Sequence, residues 1–152
     1  MRRFGPLLTM LLAATLPAQE RQSLDEQLLG VWNMELRVLR SPLMVQYQED
    51  ANIAITEKLA DGSYRVMARV TSRLVVDEVG LLDRPDCYDK KECVVDDATE
   101  GLGRVIAGKL HIDWSDPGWI DDVFTIGDRV MEGDDGNGPI KLYKVRDIAP
   151  AQ

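Results

Sequence analysis

The feature that most limits what this chain can fold into is a two-residue rhythm that keeps returning. In VWNMELRVL, Trp32, Met34, Leu36 and Val38 alternate with Asn33, Glu35 and Arg37. In YRVMARVTSRLVV, Tyr64, Val66, Ala68, Val70 and Leu74 alternate with Arg65, Arg69 and Arg73. Successive side chains of a strand point to opposite faces, so this period predicts strands with one dry and one wet face. Between them, VQYQEDANIAITEK places Val45, Tyr47, Ala51, Ile53 and Ile55 on one side. Turn residues punctuate the rhythm at Ala60-Asp61-Gly62-Ser63, Ala107-Gly108, Gly127-Asp128 and Asp134-Asp135-Gly136-Asn137-Gly138. Counting gives about eight strands in chain order, the number at which an up-and-down antiparallel barrel closes around a core or one small ligand. The expectation is an all-β barrel. Only Gln22 to Leu29 reads as a short helix, with Ser23 as its N-cap.

The first residues, MRRFGPLLTMLLAATLPAQ, have the parts of an export signal: Arg2 and Arg3, an apolar stretch to Leu16, and the small residue Ala18. The stretch is too short to span a bilayer, which takes about 20 residues. The expected division is a signal peptide over residues 1–18 and a single domain over residues 19–152, in a periplasmic or secreted protein. Losing Arg2 and Arg3 leaves 16 Lys and Arg against 26 Asp and Glu, so the net charge moves from -8 to -10. Such a balance argues against nucleic acid as a partner and against docking on anionic lipid. No integral membrane anchor is expected. Cys87 and Cys93, in CYDKKEC, read as one disulfide of an exported chain, pinning a long loop over Asp77 to Thr99.

The junction LLGVW, a short helical lead followed by Gly30-x-Trp32 at the first strand, resembles the opening of the lipocalin and wider calycin superfamily. The chain is similar in this to small bacterial lipocalin-like proteins. The resemblance implies that Gly30 and Trp32 help close one end of the barrel. It also implies a basic residue of the last strand over the tryptophan, and Arg146 is suitably placed.

Few residues carry a chemical signal. Asp135, Asn137 and Gly138 fall in the order of a calcium loop, but Gly133 and Lys144 would then stand where its strongest ligands belong. A hairpin turn explains the stretch, with weak calcium binding at Asp134 and Asp135 left open. With one histidine in the chain, no metal site or cofactor is expected. Asp113, Asp116, Asp121 and Asp122 could supply a carboxylate pair for hydrolysis, but Asp116-Pro117-Gly118 is a turn in its own right. His111 lacks a nucleophile beside it.

Polar residues in phase with apolar ones point to a pocket. Glu49 is in phase with Tyr47 and Ala51, Arg104 with Leu102 and Ile106, and Asp122 with Phe124. Inward charges are costly unless paired or wetted by a cavity. We therefore expect a non-enzymatic barrel that binds a small apolar or amphipathic ligand. Tyr47, Tyr64, Trp114 and Phe124 would form its walls, with Glu49 or Arg104 orienting a polar end. The alternative is a module that meets an envelope protein through the disulfide loop and acidic rim. A hydrolase using the aspartate run comes third.

Overall fold

The computed structural model describes residues 22–152, so the signal segment expected over residues 1–18 lies outside the described residues. A short helix, α1 (Leu24–Leu28), leads into the strands. Ser23 caps it reciprocally: its hydroxyl accepts from Glu26 N at 3.2 Å, and Glu26 Oε2 accepts from Ser23 N at 2.9 Å. Nine strands follow: β1 (Gly30–Met34), β2 (Val38–Arg40), β3 (Met44–Lys58), β4 (Tyr64–Val76), β5 (Glu92–Ile106), β6 (Lys109–Trp114), β7 (Asp122–Ile126), β8 (Val130–Asp134) and β9 (Pro139–Asp147). From β3 onward each pairs antiparallel with the next, and β1 pairs with both β9 and β3. Eight strands thus close a barrel, and β2 is an extra strand added to β3. This architecture is compatible with the lipocalin-like resemblance.

The expected turns sit where the meander needs them. Ala107 and Gly108, both at positive φ (51° and 77°), join β5 to β6. The DDGNG stretch joins β8 to β9, with Asp134 and Asp135 accepting from the amides of Gly136 and Asn137. The cysteine loop is shorter than the sequence suggests. β5 resumes at Glu92, so Cys93 and Thr99 belong to a strand.

One half of the barrel is packed solid. Trp32, Ile53, Ile55, Tyr64, Val66, Leu110, Ile112, Phe124, Met131 and Leu142 form a continuous core. Gly133 faces it because there is no room for more: a Cβ there would lie 2.8 Å from Phe124 Cδ1. α1 plugs this end. Trp32 Nε1 donates to Leu28 O at 2.9 Å, and Lys144 Nζ lies 5.5 Å from the centre of a Trp32 ring. The basic residue over the tryptophan is therefore Lys144, and Arg146 is exposed. The cause is a register shift between Val31 and Trp32, which pairs Val31 with Arg146 but Trp32 with Lys144. Lys144 follows Ile140 and Leu142 in the inward phase. Gly30 lies against it, since a Cβ there would meet Lys144 Cε at 2.4 Å.

The other half departs from simple alternation. VWNMELRVL is two strands, because the chain leaves the ladder at residues 35–37. Opposite it, β3 carries a bulge at Glu49, between the pairs Gln48–Ser72 and Asp50–Thr71. A bulged residue reverses the face of everything beyond it. Leu36 and Val38, expected inside, are exposed, while Leu39, Gln46 and Gln48 turn inward. The disulfide Cys87–Cys93 is formed, and its loop lays Leu82 on Leu74, Val76 and Val95 as a second small core. Among the described residues no helix is long and apolar enough to cross a membrane.

Candidate functional site

The reversed half holds a cavity of about 250 Å³ that is partly open to solvent. Its polar walls come from elements far apart in sequence: Arg37 between β1 and β2, Gln46 and Gln48 on β3, Asp97 on β5, Asp122 on β7, and Asp135 and Asn137 in the β8–β9 turn. Met34, Leu39, Val70, Trp119, Ile120 and Ile140 supply the apolar part.

Arg37 spans the gap between β2 and the β8–β9 turn. Its Nη1 and Nη2 donate to the two oxygens of Asp135 at 3.1 and 2.5 Å, and Nη1 also reaches Gly138 O at 3.4 Å. This two-point contact is the stronger form of a charge pair. Burial raises the Asp135 pKa, but the Arg37 hydrogen bond and the Asn137 amide outweigh it and hold the carboxyl below its ordinary value. The turn that resembles a calcium loop is thus half of a clasp. Among the described residues no group of three or more His, Cys, Asp or Glu is placed to hold a metal.

Asp122 begins β7 and points inward, as its phase with Phe124 implies; it is 7% exposed. Its Oδ2 accepts from Trp114 Nε1 at 2.9 Å, and Trp114 packs against Trp119 with ring centres 5.6 Å apart. Its Oδ1 has no partner. Burial pushes the carboxyl from an ordinary 3.8 up to about 6. Trp114 opposes the rise, the carboxylates of Asp135 and Asp121 add to it, and Arg37 opposes it. Nearby, Asp97 Oδ1 and Oδ2 accept from Arg84 of the cysteine loop at 2.8 and 2.9 Å, and Gln46 Nε2 donates to Ser72 Oγ at 3.0 Å.

Buried polar side-chain atoms are nearly always hydrogen-bonded. The exceptions among the described residues are Arg37 Nε, Gln48 Oε1 and Asp122 Oδ1, and all three residues line this one cavity.

Of the residues expected from the sequence at a pocket, Asp122 lines it, whereas the expected walls Tyr47, Tyr64, Trp114 and Phe124 and the expected polar anchors Glu49 and Arg104 do not. Tyr47 and Glu49 lie on the outer face beyond the bulge, where Tyr47 stacks under Arg73 (4.3 Å) and Glu49 Oε1 accepts from Arg73 Nε at 2.9 Å. Arg104 is outside too, paired to Asp113 at 2.9 Å, because the odd-numbered residues of β5 face inward and Arg104 shares the wet face with Leu102 and Ile106. Tyr64 and Phe124 point inward but belong to the solid half, Tyr64 with its hydroxyl donated to Asp25 Oδ1. Trp114 reaches the site through Asp122 and Trp119. The aspartate run does not converge: Asp113 pairs outside, Asp116 accepts from Gly118 N, Asp121 accepts from Trp114 N, and only Asp122 enters the cavity. The signal for Asp122 was present in its phase. Arg37, Gln46 and Gln48 gave none, since strict alternation assigns them to solvent.

Comparison with protein-family models, with curated proteins and with solved structures found no match for the chain.

Proposed function

We propose that this chain is an exported, lipocalin-like, non-enzymatic barrel that binds one small amphipathic molecule between the Arg37–Asp135 clasp and Asp122. The observation that carries this reading is the convergence of three unpartnered buried polar atoms on one cavity. In a native interior such atoms find partners in water or in a ligand. The wall chemistry fits a molecule with an apolar body against Leu39, Val70 and Ile140 and a polar end at Asp122, Gln48 and Arg37. Drug-sized ligands occupy cavities upward of about 300 Å³, so this ligand is smaller. Export is supported by the disulfide, since such bonds persist in oxidising compartments.

The test is native mass spectrometry of protein exported by its own host, compared with Gln48→Leu. A stoichiometric mass adduct that disappears on denaturation and weakens in the variant is the expected result. Unliganded mass throughout, with both proteins folded, would remove the proposal.

A second reading is favoured by a different observation. Val79, Tyr88 and Val94 are exposed around the disulfide loop at 56%, 61% and 61%. Scattered apolar exposure is ordinary, but a rim of this kind beside Lys90 and Lys91 suits a protein contact. An envelope protein that is retained by the wild type and released by Tyr88→Ser with Lys90→Glu, the fold being intact, would establish it.

A further inference from the structure

The charge inside the cavity is not balanced. Four ionisable side chains line it: Arg37, Asp97, Asp122 and Asp135. Arg37 is engaged at both terminal nitrogens by Asp135, and Asp97 is met by Arg84 from the cysteine loop. Asp122 alone faces no cation as a hydrogen-bond partner, only the Trp114 indole N–H. Of the three unpartnered atoms, two are acceptors, Asp122 Oδ1 and Gln48 Oε1, and one is a donor, Arg37 Nε. An indole, Trp119, forms part of the wall, backed by Trp114.

We infer that the polar end of the bound molecule is a primary ammonium, held by Asp122 Oδ1 and Gln48 Oε1 beside Trp119. This deepens the binding proposal above and rests on it. An ammonium has three donors and no acceptor, so it carries a donor for each of the two orphan acceptors. A hydroxyl has one donor and leaves one of them unmet. A carboxylate serves Arg37 Nε but brings a further negative charge among Asp97, Asp122 and Asp135. The indole adds an electron-rich face, which favours a desolvated cation. The apolar walls then take the alkyl or aryl body.

The ammonium also decides the protonation of Asp122. Burial holds the Asp122 proton up to about pH 6, with Trp114 opposing the effect, Asp135 and Asp121 adding to it and Arg37 opposing it. A cation at Oδ1 favours the carboxylate, so binding releases a proton below about pH 6 and weakens as the pH falls.

Three probes of one body size test this by calorimetry on the full exported chain: n-butylammonium, n-butanol and n-butyrate. Binding of n-butylammonium alone is expected at about pH 7.5, and roughly tenfold weaker binding at about pH 5, where only about a tenth of Asp122 is ionised. Asp122→Asn, which keeps an acceptor for Trp114, is expected to lose the ammonium, and Gln48→Leu to weaken it. Binding of n-butanol or n-butyrate in place of n-butylammonium overturns the ammonium inference and leaves the binding proposal standing. Binding of none of the three at millimolar concentration removes both. Equal n-butylammonium affinity at the two pH values and in Asp122→Asn places the cation elsewhere and overturns the inference.

Discussion

Each end of the barrel sets a charged side chain beside a tryptophan, and the two are finished differently. At the packed end Lys144, its side chain 1% exposed, gives its three donors to Glu26 O, Gln27 O and Asp147 Oδ1, over Trp32. The carbonyls it serves belong to α1, whose last C=O groups have no partner within the helix. At the other end Asp122 accepts from Trp114 with one oxygen and leaves the second bare. A satisfied buried charge locks structure, whereas an unsatisfied one costs stability and is retained where something else completes it. The difference separates an end whose buried charge is fully satisfied from one whose buried charge is not.

The largest expected effect breaks the packed end. Trp32→Ala should cost about 3–5 kcal/mol, the usual range for deleting a large buried aromatic. Chemical denaturation would show it as a collapsed midpoint, and a loss under about 1 kcal/mol would mean the packed end is not what holds the barrel. Lys144→Met should cost about 2 kcal/mol, because it leaves two carbonyls unserved. Arg146→Met should change stability by less than about 0.5 kcal/mol, as an exposed side chain. A reversed order would restore Arg146 as the closing residue.

Breaking the disulfide with Cys87→Ala and Cys93→Ala should cost about 2 kcal/mol by loop-closure entropy. Thermal melts of the oxidised wild type and the double variant would measure it. The end that holds Asp122 should respond in the opposite sense. Asp122 binds its proton more tightly in the folded state, so the wild type loses stability as the pH rises from about 4 to 6. Asp122→Asn has no proton to lose. The variant should match the wild type below about pH 4 and exceed it by about 1–2 kcal/mol above pH 6, with the cavity's access to water limiting the gain. A variant less stable than wild type at neutral pH would mean that Asp122 is satisfied after all. The smallest effect is on the β8–β9 turn, where Arg37 and Asn137 already engage Asp135. Calcium should leave the melting temperature unchanged, whereas a cation at a hundred times its dissociation constant would add about 2.7 kcal/mol.

Much of the fold could be read in advance because most strands keep one phase from end to end. Tyr64 to Val76 alternate without interruption, and the turns at Ala107-Gly108 and in DDGNG use residues suited to positive φ or to capping their own backbone. Lys144 was legible too, two residues after Leu142 in the inward phase, but a family resemblance pointed to Arg146. The candidate site was much less legible. Asp122 could be picked out by phase, while Tyr47, Glu49, Arg37, Gln46 and Gln48 all came out on the opposite face from the one alternation assigns.

The amino-acid sequence by itself determined that this chain makes amphipathic strands, where most of them turn, and that they are numerous enough to close a barrel. Those properties are local, set by side-chain alternation and by the backbone preferences of turn residues. Which face of each strand is inside was decided only by the tertiary structure. Closing and bending the sheet required a bulge at Glu49 and a break at residues 35–37, and one displaced residue reverses every side chain beyond it. The cavity exists because the break between β1 and β2 falls opposite the bulge of β3, a condition on two segments that neither states alone.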